Sequence, residues 1–306
     1  MPFAYIATYV SYTFIIIAYV YKTLKIAKMP LHLRWELYPV PHDKGHRHGG
    51  SYFEELEWWN KPQEKKTLRG IFYLLKQYFM FSGYFRKKRG YWLSLYPWHV
   101  GFYLIVLFHI LTFFGALAIV TVGINISSVS AIGLGIALYY LTLVVAVGSF
   151  ILGSFGSIGM LIERLVKKEL KDYASPANYF NYIFFLIVFL SGLFSWIFYD
   201  PTLSAYREFW VSLITFQYTA VEPATYAHIM IFSLFLIYLP FTRSTHYITI
   251  LFAYFSVNWG DKPNLRGSEI EKDIKEMLNK PVSWSAPHIQ SVKKWSDIAT
   301  EGVEAE

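Results

Sequence analysis

YPWHVGFYLIVLFHILTFFGALAIVTV, residues 96–122, contains no Asp, Glu, Lys or Arg and is long enough to cross a bilayer as one helix. It lies in an uncharged stretch between Arg89 and Glu163, and two others run from Asp172 to Asp200 and from Glu222 to Arg243. Only 16% of the 306 residues are charged and 55% are hydrophobic, whereas a soluble domain carries about a quarter charged residues. These observations predict an all-α integral membrane protein. Five segments have the length of a span, near 3–22, 98–122, 131–160, 178–199 and 224–250.

The placement of the basic residues orients these spans. Of 28 Lys and Arg, all but Arg207 fall before the second span, between the third and fourth, or from Arg243 onward. Cytoplasmic loops of membrane proteins carry the excess of Lys and Arg, so the pattern predicts a five-transmembrane-helix bundle in the inner (plasma) membrane. Its N-terminus lies outside, and its loop and tail are cytoplasmic and ordered. The first span lacks a basic leader and a small-residue cleavage site, and reads as a retained anchor. The net charge of +7 is thus an orientation signal, with contacts to acidic membrane lipid, and does not point to nucleic acid.

Four regions follow: a first transmembrane helix (1–30), a cytoplasmic loop (31–96), a four-helix core (97–255) and a cytoplasmic docking tail (256–306). Within the loop, LRGIFYLLKQYFMFSGYFRKKRG (68–90) has apolar and aromatic residues at helical spacing beside a run of basic residues. It suits a helix lying in the membrane interface or docked on a partner. In the tail, SEIEKDIKEMLNK (268–280) reads as a short helix, and the two Trp of PVSWSAPHIQSVKKW (281–295) call for a partner surface.

Nine His carry the functional signal. His99, His109, His228 and His246 alone lie in or at the ends of spans, where His is costly and rare. His99 and His109 are ten residues apart on span two, a rise of about 15 Å. His228 and His246 are eighteen apart on span five, which is five turns and about 27 Å if the helix is continuous. Antiparallel spans would pair His99 with His246 and His109 with His228, one pair above the other. Heme iron already has four equatorial nitrogens and needs only two axial ligands, so two such pairs suit two b-type hemes. A bare zinc ion wants three or four protein ligands. With no Cys, the chain can hold no iron-sulfur cluster, and covalent c-type attachment is excluded.

Neighbouring residues fit this reading. Gly101 and Gly115 are small residues near His99 and His109 that would admit a flat macrocycle. Arg243, three residues before His246, would share its helical face and pair with a heme propionate, or else serve as an orientation charge at the interface. The connection 200–223 offers Asp200, Tyr206, Arg207, Glu208, Gln217 and Glu222 on a short amphipathic stretch. Glu222 is the candidate acceptor for a quinol proton; with Pro223 after it, a helix-capping carboxylate is the other reading. The cluster His42, Asp43, His46 and His48 is a weak metal motif that reads better as solvated or bound to a partner.

The ten- and eighteen-residue spacings, the topology and the run PFTRSTH (240–246) resemble the gamma subunit of respiratory nitrate reductase, a diheme cytochrome b that oxidises quinol. The resemblance covers about residues 97–250. LHLRWELYPVPH (31–42), GGSYFEE (49–55) and PVSWSAPHI (281–289) resemble instead the cytoplasmic segments of cytochrome b subunits from heterodisulfide-reductase-like membrane complexes of sulfate reducers. That resemblance implies His99 and His246 on a proximal heme, His109 and His228 on a distal one, and menaquinone near the distal heme. It further implies a cytoplasmic iron-sulfur subunit related to heterodisulfide reductase and, in some complexes, a periplasmic multiheme cytochrome c. No lysine lies between Arg89 and Glu163 to hold a quinone oxygen. The expected function is electron exchange between menaquinone and that cytoplasmic partner. The alternatives are a nitrate-reductase-type quinol dehydrogenase subunit, a heme-free transporter whose His relay protons, and a heme-free anchor for a soluble enzyme.

Overall fold

The computed structural model describes residues 2–28, 56, 67–259, 266–286 and 289–300. The loop around His32, His42, Asp43, His46 and His48, together with His288, lies outside the described residues. Twelve α-helices are described: α1 Pro2–Ala27, α2 Thr67–Met80, α3 Ser82–Lys87, α4 Arg89–Val122, α5 Gly133–Val166, α6 Lys168–Lys171, α7 Pro176–Phe198, α8 Ser204–Thr215, α9 Pro223–Tyr238, α10 His246–Trp259, α11 Glu269–Leu278 and α12 Trp295–Thr300. Five helices are long and apolar enough to cross a membrane: α1, α4, α5, α7 and α9, the last extending through Phe241.

Three boundaries differ from the sequence expectation. Helix α4 begins at Arg89 and runs through Pro97, nine residues before the expected start, because a membrane helix tolerates an internal proline. The interfacial stretch is two helices, broken at Phe81, whose φ of 47° is left-handed. The fifth span is not continuous to residue 250. Pro240, which has no backbone N–H to donate, lies in a 3₁₀ turn Leu239–Phe241; a second turn, Arg243–Thr245, follows, and His246 opens α10.

The chain forms two units, Met1–Tyr19 with Phe72–Ser244, and Val20–Ile71 with Thr245–Glu306. In the second, Ser268 caps α11 by accepting from Glu271 N at 3.2 Å. Antiparallel bridges Pro281 to Lys294 and Ala286 to Ile289 close the segment beyond it, where the Trp284 and Trp295 rings stand 6.2 Å apart.

The first unit contains the core, and its tightest seam joins α4 to α5 through small residues. A Cβ on Gly101 would run into the backbone of Gly153, and one on Gly156 into the backbone of Trp98. On its other side, a Cβ on Gly153 would stand 2.5 Å from the Phe189 ring of α7. Ser149 Oγ donates to Gly101 O at 2.9 Å across the same seam. Close backbone approach is how apolar helices gain contact in lipid, where hydrophobic burial no longer distinguishes a partner helix from the bilayer.

Helix α8 covers the end of this unit where α4 turns into α5. It buries Tyr206, Arg207, Phe209, Trp210, Ser212 and Leu213. Tyr5 on α1 lies 4.9 Å from Phe209 by ring centroid and bonds the Ser212 hydroxyl at 2.9 Å, while Tyr9 donates to Leu213 O at 2.6 Å. Buried Asp200 accepts from Tyr206 N at 3.0 Å at the start of α8. Arg207, also buried, donates to Ile126 O at 3.3 Å in the α4–α5 connection. Burial lowers its pKa, and the nearby Asp200 carboxylate partly offsets this.

Gly101→Ala is expected to destabilise the protein by about 1–3 kcal/mol, the usual range for overpacking, read as a lower thermal midpoint in detergent. Gly133→Ala, with nothing within 4 Å of the new Cβ, should change it by less than about 0.5 kcal/mol.

Candidate functional site

His109 on α4 and His228 on α9 are both buried, with 6% and 3% of their surface exposed. They share neighbours. The Phe232 ring stacks on His109 with centroids 3.9 Å apart and 9° between planes, and stands 6.2 Å from His228. The Tyr206 ring is 5.9 Å from His109 and 6.2 Å from His228. The structure thus brings this expected pair into one aromatic layer beneath α8.

The hydrogen bonds assign the tautomer of each ring. His109 Nδ1 lies 2.7 Å from Ile105 O; a carbonyl only accepts, so Nδ1 carries the proton and Nε2 presents a lone pair. His228 Nδ1 lies 2.9 Å from Ser191 Oγ, and that hydroxyl donates its proton to Val188 O at 2.9 Å. The serine oxygen is therefore the acceptor, and His228 also presents a lone pair at Nε2. Neither Nε2 has a hydrogen-bond partner. Phe232 lies on the face of His109, restraining the ring without occupying the in-plane direction of its lone pair.

Leaving a buried acceptor unmatched costs about 1–3 kcal/mol, so two in one layer make a candidate binding site. A metal-ligating imidazole typically donates its other N–H to a carbonyl or similar partner, which fixes tautomer and orientation. Both rings have that arrangement. Among the described residues no three His, Cys, Asp or Glu side chains gather to hold a bare ion. Two lone pairs without a third ligand fit heme iron, which lacks only its axial positions.

His99 is held in the same way, with Nδ1 2.9 Å from Leu95 O and the rings of Phe81 and Trp98 at 4.5 and 4.8 Å. His246 belongs to the other unit, at the first residue of α10. The expectation that His228 and His246 share one unbroken helical stripe is corrected, because α9 ends at Tyr238 and two 3₁₀ turns intervene. The same break removes the argument that Arg243 shares a helical face with His246; Arg243 opens the second turn.

Gly101 and Gly115 do not open space for a macrocycle. Gly101 meets Gly153 in the helix seam, and a Cβ on Gly115 would meet Ile126 Cδ1 at 3.2 Å. Ser191 and Phe232, which position the two imidazoles, went unnoticed in the sequence. So did Tyr12 and Trp210, whose rings lie 5.2 Å apart, with Tyr12 6.3 Å from His109. Their helical registers relative to the His, four residues from His228 to Phe232 for example, were the available signal.

Glu222 is the N-cap of α9. Its carboxylate accepts from Ala224 N at 2.9 Å, Thr225 N at 2.8 Å and the Thr225 hydroxyl. That hydroxyl in turn bonds Ser195 Oγ of α7 at 2.7 Å. Of the two roles the sequence left open, the observed bonds are those of a cap. Glu222→Ala is expected to cost about 1 kcal/mol, measured by denaturation in detergent, with Glu222→Gln, which keeps one acceptor oxygen, losing less. No protein-family model, no curated protein and no solved structure matches the chain.

Proposed function

We propose that this chain is the diheme cytochrome b subunit of a respiratory membrane complex, a quinone-linked oxidoreductase. In this reading it exchanges electrons between menaquinone near the outer face and a cytoplasmic iron-sulfur subunit of the heterodisulfide-reductase-like kind. The observation that carries it is the pair of buried, Nδ1-anchored, Nε2-unmatched imidazoles at His109 and His228.

In this reading His109 and His228 hold the distal heme, and His99 and His246, as the resemblance implies, the proximal one. The hemes supply one-electron transfer through the thickness of the membrane. The protein's part is to orient and to exclude water. The Ile105 carbonyl and the Ser191 hydroxyl keep Nδ1 protonated, so that each Nε2 would have a lone pair free to hold heme iron. Phe108, Phe150, Tyr206 and Phe232 pack around the two rings, at centroid distances of 3.9–6.2 Å, and keep the layer dry.

The orientation assigned by the basic residues places the N-terminus and α8 outside and the tail in the cytoplasm. The partner is assigned by chemistry: the absence of Cys means that clusters accepting or supplying the electrons reside on another subunit. The folded tail, with its paired Trp284 and Trp295, is the surface we assign to that subunit, as the resemblance of residues 281–289 implies. A periplasmic multiheme cytochrome c is a further partner implied in the same way.

The test is spectroscopic. The protein purified from its membrane should contain two protoheme groups per chain with the reduced spectrum of low-spin bis-His b-type heme. His109→Ala and His228→Ala should each abolish the same one of the two while the chain still inserts, and His99→Ala and His246→Ala the other. A folded protein without heme absorption would exclude this function and favour a heme-free transporter or anchor.

A further inference from the structure

Helix α2 has two faces from Phe72 onward. Leu74 is buried, 7% exposed, and this side is tied to α4. The Tyr103 hydroxyl donates to Tyr78 O at 3.1 Å, and Trp92 Nε1 donates to Met80 O at 3.0 Å. Just beyond, the left-handed Phe81 sets its ring 4.5 Å from His99. The opposite side is apolar and uncovered. Phe72, Leu75, Phe79 and Met80 have 44–71% of their surface exposed, and at 100° per residue they fall within an arc of about 140°. A contiguous exposed stripe of this kind marks an interaction surface.

Depth and charge say what covers it. Helix α4 has 34 residues, about 50 Å at 1.5 Å per residue, against about 30 Å of hydrocarbon. Arg89, which opens it, is too costly to sit in hydrocarbon, so the first turns of α4 pass through the headgroup layer and the end of α2 lies beside them. Rings suited to that layer gather at the same level: Trp92 stacks on Tyr96 at 4.6 Å, Phe85 stands 5.0 Å from Trp92, and Tyr84 stands 5.5 Å from Tyr91. Arg86, Lys87, Lys88 and Arg89 are consecutive and exposed, and no Asp or Glu occurs between Glu64 and Glu163. None of the four has a carboxylate partner among the described residues. Arg86 turns back to donate to Ser82 O at 3.4 Å, and Arg89 lies over the Phe85 ring at 5.2 Å. Exposed Lys76 stands within the stripe, where its stem can lie along acyl chains while its ammonium reaches out to the headgroups.

We propose that the α2 stripe is embedded among acyl chains at the Arg89 end of the bundle, and that Lys87 and Lys88, with Arg86 and Arg89 beside them, bind the phosphate groups of acidic phospholipids. Of the two settings the sequence left open for residues 68–90, this one is the membrane interface, because the stripe lies at the depth of the headgroups and its neighbouring charges are all positive. The proposal is independent of the heme reading and needs only that α4 crosses a membrane.

The chain contains no Cys, so Met80→Cys creates a single labelling site in the full chain and leaves the carbonyl that accepts from Trp92 in place. The labelled chain is reconstituted in vesicles of phosphatidylcholine and phosphatidylglycerol, with bromine on the acyl chains of one lipid at a time. A fluorophore at this site should be quenched by bromine on either lipid and shielded from iodide in the water. Phosphatidylglycerol should associate about fivefold more tightly than phosphatidylcholine, the effect of one basic side chain at an acidic surface. Lys87→Gln combined with Lys88→Gln should bring the two lipids within about twofold of one another while quenching itself persists. An unchanged preference in that variant would overturn the proposal. So would an equal loss in Lys168→Gln combined with Lys171→Gln, which removes the same charge from exposed lysines of α6. Displacement of phosphatidylglycerol by inorganic phosphate would show a site for a free anion and not for lipid. Quenching by iodide in place of bromolipid would put the stripe in water, open to a protein partner, and would equally sink the assignment.

Discussion

A histidine side chain placed in the middle of an apolar bundle must have both of its ring nitrogens satisfied, and that constraint organises this protein. At His109 and His228 the local helix provides half of the solution. A carbonyl one turn back, or a serine on the facing helix, takes the Nδ1 proton. Among the described residues nothing answers Nε2. The rings of Phe108, Phe150, Tyr206 and Phe232 surround the two imidazoles and offer Nε2 no hydrogen-bond partner.

Holding two imidazoles in one layer requires rigid helices, and the α4–α5 seam supplies the rigidity. Gly101, Gly153 and Gly156 let the two backbones meet without intervening side chains, which sets the position of α4 and therefore of His99 and His109. Gly153 also admits the Phe189 ring, which brings α7 into place. Helix α7 then offers Ser191 to His228 and Ser195 to Thr225, fixing the axial position of α9. The path from small residues to tautomer is continuous: seam, helix position, hydroxyl, ring nitrogen.

Much of this was legible in the sequence because charge is so expensive in lipid. The uncharged stretches located the five helices long and apolar enough to cross a membrane among the described residues, and the ten-residue step from His99 to His109 holds along α4. Other features were hidden. The eighteen-residue step to His246 assumed a regular helix, whereas Pro240 starts a 3₁₀ turn inside it. The run that carried the family resemblance, PFTRSTH, is the segment where the helix breaks. Glycines near the histidines invited a cofactor explanation, but in an all-apolar helix the face of a residue cannot be read from periodicity, since there is little polar contrast to define one. Tyr12 and Trp210 were invisible for the same reason. Twenty percent of the chain is aromatic, and only the structure distinguishes the ring that fills space from the one whose polar tip is buried near the site.

The two kinds of buried polar group point to different chemistry. The imidazole nitrogens at His109 and His228 are acceptors, fixed as such by the protons on their Nδ1 atoms, and they call for a Lewis acid. The indole and phenol tips at Trp210 and Tyr12 offer protons, and the Tyr206 hydroxyl is the hydrogen-bonding neighbour of both. The imidazole acceptors and these donors remain separate sets, with no hydrogen bond between them among the described residues. Helix α8 is the element common to both, since Tyr206 faces the imidazoles while Trp210, one turn on, faces α1.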